Sequence, residues 1–246
     1  MRAVVIMVLI SLLFTFSACA LRKEPAEVSA SGKGFDYYLN QGSLSLTEGN
    51  PDKAIIQLKE AVTLNPDSPK AHNLLGIAYF QKKDYRLAAK EYEKAIKLNP
   101  SYAQAYNNLG SACFMLEEIP RAEEMLRKAI SLSPGLVSSH YGLGALLATQ
   151  GRIEESSHYF SKGIELDPEF LERNPAFVAT FTSDALRNPE VLFTYAKIYA
   201  VAGNVEKAVL YLQRAEQAGF KDWYRIGKEK EFEKVREDER IKGFIR

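Results

Sequence analysis

Reactive chemistry is scarce in this chain. Its 246 residues include two cysteines, three histidines and a single tryptophan, and its formal net charge is only +1. So even a balance offers nucleic acid nothing, because phosphate recognition needs positive charge gathered on one face. His72, His140 and His158 are scattered, and none lies with cysteines or carboxylates at metal-ligand spacing. Ser139 and His140 are sequence neighbours, an arrangement that supplies no activated nucleophile. No glycine-rich phosphate loop is present. Acidic pairs such as Glu123-Glu124 and Glu154-Glu155 read as solvated helix faces beside lysines and arginines. These absences argue against catalytic residues, a metal and a cofactor.

The two ends depart from the average. Val4 to Phe16 is apolar apart from Ser11 and Thr15, and it follows the single charge of Arg2. A basic start, a short hydrophobic run and small residues after it have the outline of a secretory signal. The tetrapeptide Phe16-Ser17-Ala18-Cys19 resembles a bacterial lipobox, with phenylalanine where that family has leucine. The resemblance implies cleavage after residue 18 and a lipid on Cys19, and several acyl chains hold a protein firmly on a membrane. By likeness to enterobacterial lipoproteins, Ala20 after the cysteine implies the periplasmic face of an outer membrane. Two alternatives remain open: cleavage at the small-residue site Ala18-Cys19-Ala20 with release of a soluble protein, or retention of Ala3 to Leu21, 19 uncharged residues, as a membrane anchor. Cleavage before Cys19 would remove Arg2 alone and leave 31 basic residues against 31 acidic ones. Cys113 would then have no intrachain partner, so disulfides do not hold this fold, and it reads as a small buried apolar residue. The polar stretch Leu21 to Gly34 reads as a tether, roughly 20 Å end to end.

What the middle of the chain has in abundance is repetition. Pro66, Pro100, Pro134 and Pro168 recur every 34 residues and close the segments EAVTLNP, KAIKLNP, KAISLSP and KGIELDP. A fixed period of this length marks a stack of one unit rather than a globule around one core. Aligned on the prolines, the units run 35–68, 69–102, 103–136 and 137–170. Their eighth position is Gly42, Gly76, Gly110 and Gly144, and their twentieth is Ala54, Ala88, Ala122 and Ser156. The twenty-seventh is Ala61, Ala95, Ala129 and Gly163, and the twenty-fourth is bulky: Leu58, Tyr92, Leu126 and Phe160. Two antiparallel helices cross closely only where side chains are small, while bulky residues fill the space beside the crossing. Proline ends each second helix and restricts the residue before it. A fifth unit over 189–222 places Leu192, Tyr195, Ala196, Tyr199, Ala208, Leu212 and Ala215 on the same columns, with Phe220 in place of the closing proline.

This pattern resembles the tetratricopeptide repeat family. The resemblance implies an all-α, right-handed superhelical solenoid of helix-turn-helix units. Residues 171–188, out of period, read as a connector or as a segment folded against the concave face. The amphipathic stretch 223–246 reads as a short helical cap over the last repeat. In that family the first helices line a concave groove. The corresponding columns here carry Asn73, Ile77 and Phe80; Asn107, Ser111, Phe114 and Met115; Tyr141 and Ala145; and Phe193 and Lys197. Repeated amides at Asn73 and Asn107 suit an extended peptide backbone, with apolar pockets beside them. Chaperone-binding members hold acidic tails with lysines and arginines, but those columns carry Leu39, Ser43, Leu74, Gln104 and Asn108 here, none of them basic.

The expected function is a membrane-anchored scaffold in a bacterial cell-envelope assembly, holding a partner protein's segment in its groove. The architecture resembles pilotin lipoproteins of type IV pili and, equally, lipoproteins that recruit peptidoglycan enzymes. A small-ligand accessory domain, with 171–188 as a lid, is the alternative of another class.

Overall fold

The computed structural model describes residues 32–174, 188–201 and 203–245. Eight helices form four antiparallel pairs: α1 (Phe35–Thr47) with α2 (Pro51–Leu64), α3 (Pro69–Gln81) with α4 (Tyr85–Leu98), α5 (Ala103–Met115) with α6 (Ile119–Leu132), and α7 (Val137–Thr149) with α8 (Ile153–Leu166). The first helices start 34 residues apart and each second helix starts 16 residues after its partner. A four-residue helix, α9 (Phe170–Arg173), follows. The pair α10 (Pro189–Val201) and α11 (Val205–Gln217) then repeats the 16-residue offset. Two short helices, α12 (Tyr224–Lys228) and α13 (Glu239–Lys242), and a 3₁₀ turn at Lys230–Phe232 complete the described chain. No strand element occurs among the described residues.

Local chemistry sets the ends of the helices. Asn65, Asn99, Ser133 and Asp167, each just before a recurring proline, have ψ of 88°, 93°, 86° and 96°. These are the non-helical values forced by the proline ring, so each second helix stops one residue earlier. Between the helices of a pair the chain turns through one residue in the left-handed region. That residue is Gly49, Gly151 and Gly203 in three pairs, at φ of 70° to 74°, and Lys83 (68°) and Glu117 (62°) in the other two. Glycine suits the turn because it lacks the Cβ that crowds this conformation.

Packing follows the small and bulky columns. A Cβ at Gly42 would lie 2.5 Å from Leu58, at Gly76 2.5 Å from Tyr92, at Gly110 2.7 Å from Leu126, and at Gly144 3.1 Å from Phe160. Ala54, Ala88, Ala122 and Ala208 are fully buried at the crossings. Where Ser156 replaces alanine, its hydroxyl donates to the Gly144 carbonyl at 2.8 Å and so stays satisfied. Gly163 makes room for the Tyr141 ring, 3.0 Å from where a Cβ would stand. His72 and His140 are buried, and their Nε2 atoms reach the carbonyls of Pro66 (2.9 Å) and Pro134 (2.7 Å) in the preceding unit. Pro66 and Pro134 thus each supply a bond to the next first helix.

The core is distributed along the stack. One cluster joins α1–α3 around Leu58 and Leu75, a second joins α4–α7 around Tyr92, Leu126 and Leu147, and a third joins α7–α11 to the C-terminal segment. The most extensive contacts are within each pair and between a second helix and the next first helix. The C-terminal segment seals its end of the stack with Phe220, Trp223, Ile226, Phe232, Val235, Ile241 and Phe244, all buried. Residues 1–31, including Cys19, and 175–187, the bulk of the out-of-period segment, lie outside the described residues.

Candidate partner-binding surface

Asn73 and Asn107 sit on α3 and α5, and both are buried. Their amides are used inside the protein. Asn108 Nδ2 donates to Asn73 Oδ1 at 3.0 Å, Asn107 Nδ2 donates to Asn108 Oδ1 at 3.2 Å, and Ser139 Oγ donates to Asn107 Oδ1 at 2.9 Å. Burial pushes the Tyr102 phenol up, and a hydrogen bond with Asn73 partly offsets that. The result is a polar chain tying three successive first helices together. The ladder expected to read a peptide backbone therefore joins the repeats, and of these asparagines Asn108 alone is half-buried.

Around Asn108 the first helices offer an apolar strip. Leu74, Ile77 and Phe80 of α3 and Phe114 and Met115 of α5 are each half-buried, as is Ser111. The Ser111 hydroxyl donates to the Asn107 carbonyl of its own helix at 3.1 Å. Phe80 is braced edge-on by Tyr85 at 5.2 Å. Each of these side chains keeps part of its surface in water while packing against its neighbours, as an anchor pocket requires.

The same columns are closed farther along. Tyr141 is 1% exposed, stacked on Phe170 of α9 at 5.2 Å, and Ala145 is also buried. Phe193 has no exposed surface: it stacks on Phe220 at 4.2 Å and meets Phe232 at 5.5 Å. Lys197 Nζ pairs with Glu229 at 2.8 Å and Glu231 at 3.5 Å. Arg225 lies 4.6 Å above the Phe193 ring and pairs with Glu190 (2.8 Å) and Glu229 (2.7 Å). Lys234 Nζ donates to the Val201 carbonyl at 3.0 Å. The C-terminal segment is therefore laid along the α10 face that sequence reasoning left open. Tyr141, Phe193 and Lys197 consequently do not line a free groove. Burial pushes the Glu229 carboxyl up, but hydrogen bonds from Lys197 and Arg225 outweigh it and hold the group below the usual range.

A signal for this closure was present in the sequence. Val191 to Ala200 is apolar on almost every side of α10, interrupted by Thr194 and Lys197, and a helix apolar all round is a buried one. Elsewhere the chemistry is quiet. No group of three metal-ligating side chains occurs among the described residues. The Cys113 thiol is buried and pushed up to about 11, chiefly by desolvation. None of the described helices is long and apolar enough to cross a membrane.

A stack of paired helices with a half-open first-helix face defines a repeat scaffold. Tetratricopeptide family models match residues 46–83, 73–137 and 137–170, and the chain belongs to the tetratricopeptide repeat family, whose members serve as protein-interaction scaffolds. Comparison with curated protein sequences finds no match. Among solved structures it is similar to TTC0263, a thermophilic TPR protein of Thermus thermophilus (18% identity, 77% of this chain and 93% of that one, TM-score 0.55). It is also similar to a MamA protein (23%, 79% and 95%, 0.52) and to MamA 41-end from Desulfovibrio magneticus RS-1 (18%, 75% and 94%, 0.52). At these identities the likeness speaks for the fold.

Proposed function

We propose that this protein is a membrane-tethered adaptor that holds a segment of a partner protein on the first-helix face of its second and third repeats. The observation that carries the reading is the half-buried strip of Leu74, Ile77, Phe80, Phe114 and Met115, set against a fifth repeat whose same columns are already covered by its own chain. A surface of this kind is preformed, so little ordering cost falls on the scaffold when a partner docks. The lipobox-like Phe16-Ser17-Ala18-Cys19 supports a lipid tether and a place in a bacterial cell envelope. Pilus-assembly and peptidoglycan-enzyme adaptors are the assemblies whose architecture this arrangement resembles.

The test is photocrosslinking in the native envelope, with the reactive side chain at Met115 on the first-helix face or at exposed Glu124 on α6. A discrete partner captured from Met115 and not from Glu124 supports the reading, and equal capture from both sites removes it. Cys19→Ala should move the protein out of the membrane fraction; unchanged fractionation would reject the lipid on Cys19 as the tether while leaving the groove intact.

A further inference from the structure

Repeats two, three and four carry different pairs of side chains at their fourth and twenty-third positions, beside successive second helices. Between α2 and α4, His72 occupies the fourth position of its unit and Glu91 the twenty-third. His72 Nδ1 lies 2.7 Å from Glu91 Oε2, and the second carboxylate oxygen accepts from Lys94 Nζ at 2.7 Å. Between α6 and α8 the pair is His140 and Tyr159, and the Tyr159 hydroxyl accepts from Arg127 at 2.7 Å. In both cases a side chain at the twenty-third position presents an oxygen to a cation. Between α4 and α6 the corresponding residues are Tyr106 and Met125. Met125 brings no polar oxygen, and an open cleft of about 740 Å³ remains.

The floor of that cleft is apolar: Ile96, Tyr106, Leu109 and Met125. Lys97 of α4 and Lys128 of α6 line it from the two helices, exposed, and neither has an ion pair among the described residues. Other charges on the walls are mostly committed. Glu93 is bonded to Arg121, and Arg127 is bonded to Glu123 at 2.9 Å. Glu124 is the remaining acid, so two unpaired cations face one unpaired carboxylate. The volume falls in the range of small-molecule sites, which combine an apolar lining with a few polar groups.

We infer that the cleft between α4 and α6 is a binding site for a small carboxylate with an aromatic body. Such a ligand would supply from outside what Glu91 and Tyr159 supply in the neighbouring repeats: an oxygen for the cations and a body for the floor. The site is walled by the second helices α4 and α6 and floored in part by Tyr106 and Leu109 of α5; it shares no lining residue with the first-helix strip of the proposed groove and stands independently of it.

Methyl-labelled methionine in the full chain gives a direct test, because Met125 lies in the cleft and Met115 on the first-helix face. Titration with 3-phenylpropanoate should shift the Met125 methyl resonance saturably and leave Met115 in place. The neutral 3-phenylpropanamide should bind about tenfold more weakly, and so should the acid with a Lys97→Ala/Lys128→Ala variant, a tenfold loss being the scale of one charge contact. Glu124→Gln should tighten the acid. An unmoved Met125, an equal shift at Met115, or an amide that binds as well as the acid would each overturn the site.

Discussion

Asn73 and Phe193 occupy the same position in their repeats, and their surroundings could hardly differ more. Asn73 is bonded to the next first helix, beside an apolar strip that stays half in water. Among the described residues no repeat follows the one that carries Phe193. Its face is taken by Phe220 and Phe232 from the chain end, bordered by the Lys197, Arg225 and Glu229 ion pairs. A column in a repeat thus defines a direction relative to the helix, and the neighbours that arrive there decide whether the direction means surface or core. The C-terminal residues do for the last repeat what a sixth first helix would do, and they restrict the available face to the earlier ones.

The contrast between the two regions can be broken at its strongest point. Phe232→Ala empties a fully buried position at the closed end and should cost about 3–5 kcal/mol by the usual scale for core phenylalanines. Trp223, the single tryptophan, lies in the same segment. Its fluorescence should therefore show the loss in a denaturant titration, and a cost below about 1 kcal/mol would mean that the segment is not part of the fold.

At the open end, Gly76→Ala should destabilise by about 1–3 kcal/mol, since the added methyl drives into the Tyr92 ring. The sign is informative, because the same change in an unconstrained helix gains about 1 kcal/mol. A stabilised variant would show that the close crossing is not maintained in solution.

Acid should loosen the closed end first. A carboxyl held below its ordinary value, as Glu229 is, contributes stability that is complete above the unfolded pKa, about 4.5, and drains away as pH falls through the folded value, because the unfolded chain takes up the proton first. Trp223 fluorescence should therefore report loss of the C-terminal contacts before circular dichroism reports loss of the repeats. Glu229→Gln should remove that early step; if the two signals fall together in both proteins, the ion pairs are not what separates the regions.

The smallest effect belongs to the turns. Lys83→Gly relieves a left-handed backbone and should raise stability by about 0.5–1 kcal/mol, the left-handed penalty less the added freedom of glycine in the unfolded chain. Gly151→Ala should move stability the other way, and thermal melts of the two variants settle the pair.

Much of the architecture was legible because its causes are local and repeat. Pro66 to Pro168 stop helices by restricting the preceding residue, and Gly42, Gly76, Gly110 and Gly144 sit under Leu58, Tyr92, Leu126 and Phe160 within one short hairpin. The turns through Lys83 and Glu117 were not legible, because a lysine or glutamate adopts the left-handed region only when the helices on both sides hold it there. The exposure of the candidate surface was legible in part. Ile77, Phe80, Ser111, Phe114 and Met115 keep exposed surface on the first helices, but the bonding of Asn73 and Asn107 depends on Asn108 and on Ser139 in an adjoining unit.

Periodic spacing of proline, glycine and bulky residues was enough to specify paired helices and their order, since each constraint acts within about one repeat. Which parts of the shared face would stay wet was settled by chain packing over long separations, above all by Phe232 folding back onto Phe193. Apolar burial has no direction and no sequence range, so a residue's exposure depends on every segment able to reach it.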